Sequence, residues 1–151
     1  MRALRAVYRY WISIVTAVVV VQIGLAGYGA FYAADKVNNS TIDENTFEDG
    51  FGAHIGLGYL IFLLVVVAVI LALIARPGKR FVLMTIGALV LVFVQIVLAQ
   101  IGESVPAVGA LHPINAFIIL GLLGTLTVRL WLARKMGRGG STAAPAPAPP
   151  G

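Results

Sequence analysis

Residues 56–75 read Gly56-Leu57-Gly58-Tyr59-Leu60-Ile61-Phe62-Leu63-Leu64-Val65-Val66-Val67-Ala68-Val69-Ile70-Leu71-Ala72-Leu73-Ile74-Ala75, without one charged side chain, and end at Arg76-Pro77-Gly78-Lys79-Arg80. About 20 apolar residues are what an α-helix needs to cross the hydrocarbon of a bilayer. A helix is also the element that satisfies its own backbone hydrogen bonds there without closing a barrel. The Pro-Gly pair with its three flanking cations then reads as a tight turn at a membrane surface.

Working outward, three further runs have the same character. The apolar spans are expected at about residues 8–33, 51–75, 81–102 and 109–133. Of 151 residues, 60% are hydrophobic and 11% charged, too little polar surface for a soluble domain. The expected fold is all-α, an integral membrane four-helix bundle over residues 1–136. Residues 137–151, rich in Ala and Pro, are expected to form a disordered cytoplasmic tail that buries no core. The first span is read as retained rather than cleaved, because its apolar stretch exceeds a signal-peptide core of about 7–15 residues.

Charge sets the orientation. Ten of the eleven cations (Arg2, Arg5, Arg9, Arg76, Lys79, Arg80, Arg129, Arg134, Lys135, Arg138) fall on one side of a four-span arrangement. Lys36 and all six acidic residues, among them Asp35, Glu48, Asp49 and Glu103, fall on the other. The positive-inside rule then makes both termini cytoplasmic, and the expected host is a plasma (inner) membrane. The same distribution argues against nucleic acid as a partner, despite a net charge of +5. With no cysteine, disulfides, zinc-thiolate sites, iron–sulfur clusters and covalent c-type haem are excluded.

The spans carry an internal repeat. Val19-Val20-Val21-Gln22-Ile23-Gly24-Leu25-Ala26-Gly27-Tyr28-Gly29 is matched by Val92-Phe93-Val94-Gln95-Ile96-Val97-Leu98-Ala99-Gln100-Ile101-Gly102. Val and Leu matches are cheap in apolar helices, whereas the Gln and Gly matches are not. The repeat predicts two related helical hairpins, spans 1–2 and spans 3–4, about a pseudo-twofold axis along the membrane normal. Spans 2 and 4 each carry one of the only two histidines, His54 and His112, about one turn inside the outer end.

Polar residues within a bilayer are costly and usually face the bundle interior with a partner. Two neutral imidazoles partner one another poorly, and a metal between them resolves this. Zinc or copper calls for further ligands that these helices do not offer. Haem iron needs two axial ligands, which opposed histidines supply. Gln22, Ala26 and Gly29 share one face of span 1, as Gln95, Ala99 and Gly102 do on span 3. These residues are candidates to border a flat cofactor, with Gly29 and Gly102 passing the ring edges. Helix–helix packing is the competing use of the glycines, and amide hydrogen bonds across the bundle that of Gln22 and Gln95. His112 precedes Pro113, which leaves open a place at the helix start facing water.

The stretch Val94-Gln95-Ile96-Val97-Leu98-Ala99-Gln100, followed by Pro106 and Leu111-His112, resembles the third and fourth spans of one four-helix half of haem A synthase. The resemblance extends over about residues 10–133. It implies a b-type haem with His54 and His112 as axial ligands. Where the family's catalytic half carries a glutamate one turn before the second-span histidine, this chain has Phe51, and it lacks the loop cysteines of many members. The resemblance therefore implies the half that holds haem b, a small cytochrome in electron transport or an accessory haem protein. A homodimeric haem-modifying enzyme and a cofactor-free accessory subunit remain open, as do a quinone or a larger membrane complex as partners beside membrane lipid.

Overall fold

The computed structural model describes residues 1–39 and 44–139. Its elements are α1 (Arg2–Asn39), α2 (Glu44–Ala75), α3 (Lys79–Ser104), a single turn α4 (Pro106–Gly109) and α5 (Leu111–Gly139). Four of them are long and apolar enough to span a membrane, and the chain is a multi-pass membrane protein. Large apolar side chains such as Ile14, Phe31, Leu73, Phe93 and Phe117 cover the outside. Lipid accepts that surface where water would not.

Each long helix packs on two neighbours. α1 lies beside α2 and α5, and α3 beside α2 and α5, so α1 faces α3, and α2 faces α5, across the bundle. The interior is layered along the axis. At the end holding the termini and the α2–α3 link, Tyr8, Ile12, Ala68, Ala72, Leu126 and Leu130 form one core. Next come Val15, Val19, Ile61, Val65, Ala88 and Leu123. Tyr8 and Thr85, fully buried, share a hydroxyl–hydroxyl hydrogen bond between α1 and α3. Above the second core, toward the opposite end, lies the layer with the histidines.

The α2–α3 link turns as the sequence predicts. Arg76 and Gly78 both take positive φ (47° and 128°), and the glycine adopts this at no steric cost. Arg5 donates from Nε to Ala75 O (3.3 Å) and from Nη2 to Arg76 O (3.2 Å), satisfying carbonyls at the end of α2. Pro106 opens α4, where its missing N–H costs nothing.

Three boundaries differ from expectation. The polar segment 34–50 is helical on both sides of residues 40–43, so α1 and α2 run well past the apolar spans. A helix leaving the bilayer continues on its own hydrogen bonds, and hydropathy does not register that. The fourth span begins in α4, and at Ala110, whose backbone stays helical (φ −63°, ψ −22°), only the regular hydrogen-bond ladder is interrupted. The C-terminal helix continues three residues beyond 136; the rest of the expected disordered tail lies outside the described residues.

Candidate functional site

His54 lies two to three turns into α2, and His112 is the second residue of α5. These helices face each other across the bundle, yet the imidazole centroids are only 6.1 Å apart, with ring planes inclined by 60°. His112 is only half-exposed although it precedes Pro113, so the water-facing placement is not adopted. α5 begins at Leu111, which leaves His112 and Pro113 in its first turn, where a proline is tolerated.

Both rings are oriented by main chain from the other diagonal pair of helices. His54 Nδ1 lies 3.0 Å from Gln22 O on α1, and His112 Nδ1 lies 3.1 Å from Gln95 O on α3. A carbonyl oxygen only accepts, so Nδ1 carries the proton on each neutral ring and the Nε2 lone pair is left over. A metal-ligating histidine is usually held in this way, its other nitrogen donating to a carbonyl or carboxylate.

The glutamines contribute more than their carbonyls. Gln22 Nε2 donates to His54 O (2.8 Å), an oxygen inside α2. Buried Asn115, one turn beyond His112, donates from Nδ2 to Leu91 O (2.9 Å) and to Gln95 Oε1 (2.7 Å). Gln22 Oε1 is buried without a partner. A polar layer with at least one amide or imidazole from each long helix, and two from α5, thus crosses the bundle.

This layer borders a cavity of about 300 Å³ with a mainly apolar wall. His54, His112, Gln22, Gln95, Ala26 and Ala99 all line it, which brings together four of the six sequence-derived site residues and two of the small residues beside them. Gly29 and Gly102 are not among its lining residues. A Cβ at Gly29 would lie 2.6 Å from the Phe51 ring, and one at Gly102 would lie 2.7 Å from the Cα of Gly109. In this structure these glycines serve close packing, of α1 on α2 and of α3 on α4. The Phe51 ring, which fills the notch at Gly29, also stands edge-on to His54 at 6.3 Å.

Tyr59, Gln100 and Glu103 line the cavity as well, and the sequence reading did not single them out for it. The signal was present: Ala99 and Glu103 are four residues apart on α3, one turn along the same face. By its charge alone Glu103 reads as an outer-surface residue. Among the described residues no group of three or more histidine, cysteine, aspartate or glutamate side chains is placed to hold a metal ion. Any metal in the cavity would rest on the imidazole pair.

No curated protein and no solved structure matches the chain. One family model does, over residues 22–102. That region begins at Gln22 and includes His54 and Gln95, but stops short of His112. It covers more than half of the sequence, and the chain therefore belongs to DUF6220, a family of unknown function.

Proposed function

We propose that this protein binds one b-type haem through His54 and His112 and works in electron transfer or as an accessory haem protein. The observation that carries the reading is the imidazole pair, with centroids 6.1 Å apart and both Nδ1 atoms committed to carbonyls. Two imidazoles bound to one metal through bonds of about 2.0 Å have centroids separated by about 6 Å. The donor set also suits the group, since haem iron accepts two neutral imidazoles and its other four ligands belong to the macrocycle. Bound haem would supply one-electron redox chemistry. The protein's own share would be to fix both imidazole tautomers, to wall the site with apolar helix faces and to offer His54 and His112 as the ligands.

In this reading the haem lies near the outer face of a plasma membrane, with both termini cytoplasmic, as the charge segregation indicates. The two hairpins α1–α2 and α3–α5 are related, and the matching pairs Gln22–His54 and Gln95–His112 support that. A membrane quinone or a larger membrane complex is the partner class for electron exchange.

One observation favours a second reading, a homodimeric haem-modifying enzyme similar to haem A synthase. Glu103 brings a carboxylate to the cavity although Phe51 stands where that family has its glutamate. Haem A appearing in a host only when this chain is expressed would select the enzyme. Haem titrated into the purified apoprotein should saturate at one per chain, and the His54→Ala/His112→Ala double variant should take up none. No uptake by the wild type would end the haem reading, and equal uptake by both proteins would exclude His54 and His112 as its ligands.

A further inference from the structure

Arg9 is the most deeply buried cation in the described chain, only 9% exposed, and its Nε has no hydrogen-bond partner. Its guanidinium carbon lies 4.7 Å from the centre of the Trp131 ring and 5.5 Å from that of Tyr10. Arg134 approaches the same indole at 5.5 Å. Two full positive charges thus meet on one ring at the α1–α5 seam. Cation–π attraction offsets part of this, by about 0.5–2 kcal/mol per pair. It relieves neither the repulsion between the cations nor the unmet N–H of Arg9.

Among the described residues no carboxylate is near enough to help. The described carboxylates Asp35, Glu48, Asp49 and Glu103 sit at the far ends of α1, α2 and α3, beyond the histidine layer. Arg5, by contrast, already has its acceptors in the α2 terminus. The indole is fixed in place: Trp131 Nε1 donates to Ser13 Oγ (3.1 Å), which donates to Arg9 O (3.0 Å). Tyr10 packs edge-on against it at 5.3 Å and is itself exposed. Tyr and Trp beside Arg mark the depth of the headgroups, where phosphates are abundant and basic pockets between helices bind anionic lipids.

We propose that Arg9 and Arg134, arranged around Trp131, form a binding site for a phosphate group at the terminal end of the α1–α5 seam. A phosphate accepts from both guanidinium groups and cancels the charge that the fold leaves uncompensated there. An anionic phospholipid and free phosphate share this chemistry, and both are to be tested.

Full-length protein, stripped of lipid in neutral detergent, is titrated with phosphatidylglycerol, phosphatidylcholine or inorganic phosphate, and bound ligand is counted by native mass spectrometry. Saturable binding of phosphatidylglycerol in preference to phosphatidylcholine supports the site and names a lipid as its source; saturable binding of inorganic phosphate supports it as a free-anion site. Arg134→Gln, at the more exposed position, should weaken either by about tenfold or more, the worth of one charge-assisted hydrogen bond. Arg9→Gln should do the same where it folds, while Arg5→Gln should leave binding unchanged. Absence of saturable binding in the wild type, or equal loss in Arg5→Gln and Arg134→Gln, overturns the proposal.

Discussion

His54 and His112 stand on helices that face each other across the bundle, yet their ring centroids are 6.1 Å apart. Each ring spends its Nδ1 on a backbone carbonyl, of Gln22 or of Gln95. The histidines are thus positioned by main chain, so the amide side chains of those glutamines are free to differ in importance.

Replacing the amides separates these roles. Gln22→Leu removes a buried oxygen that has no partner together with one bond to His54 O, and stability should change little. Gln95→Leu removes one of the two acceptors of Asn115 Nδ2 and should cost about 1 kcal/mol. Both variants should keep wild-type haem uptake, because the carbonyls that orient the imidazoles remain. Thermal unfolding in detergent and haem titration read the two effects. Loss of uptake in Gln22→Leu with stability intact would transfer the orienting role to the side chain.

The glycines should respond unequally. A methyl group at Gly102 meets the backbone of Gly109, which cannot swing aside, whereas one at Gly29 meets the ring of Phe51. Gly102→Ala should lower stability by the ~1–3 kcal/mol typical of overpacking. Gly29→Ala should be rescued in part by Phe51→Leu, a smaller side chain in the same notch. Unfolding midpoints of the four proteins decide this; a Gly29→Ala defect that Phe51→Leu leaves untouched contradicts the packing assignment.

Much of this architecture is legible in the sequence, for definite reasons. The uncharged run 56–75 has no alternative to burial in lipid, and the Arg76–Arg80 turn bounds it. The histidine pair stands out because nothing else in the spans has its chemistry. The helical extensions of α1 and α2 around residues 40–43 were not legible, since polar residues such as Asp35 and Glu48 look alike in a loop and in a solvated helix. Gly29 and Gly102 are ambiguous for a related reason: a missing side chain shows that something approaches closely, and does not say what. Glu103 was overlooked because its charge drew the reading to the surface, although its spacing from Ala99 places it on the cavity face.

Orientation has a separate test. A reporter fused after Arg138 should behave as cytoplasmic, and one inserted at Asn39 as external, because ten of the eleven cations lie at the terminal end of the bundle. The reverse pattern at either point would contradict the assigned topology while leaving the four helices intact.

His54→Ala and His112→Ala should act alike, since the two rings have the same kind of tether. Each should open one axial position and give a high-spin spectrum, or lose the haem, without a large loss of fold as judged by circular dichroism. A variant that keeps the six-coordinate spectrum excludes that histidine as a ligand.

The most direct test of the central claim is the absorption spectrum of the wild-type protein, purified in detergent from cells supplied with haem. Two axial imidazoles leave iron no open position. The expected result is a six-coordinate, low-spin b-type spectrum with a sharp reduced α band that carbon monoxide does not alter. A folded, monodisperse protein that remains colourless under the same conditions would contradict it, and His54 and His112 would then be structural members of the polar layer.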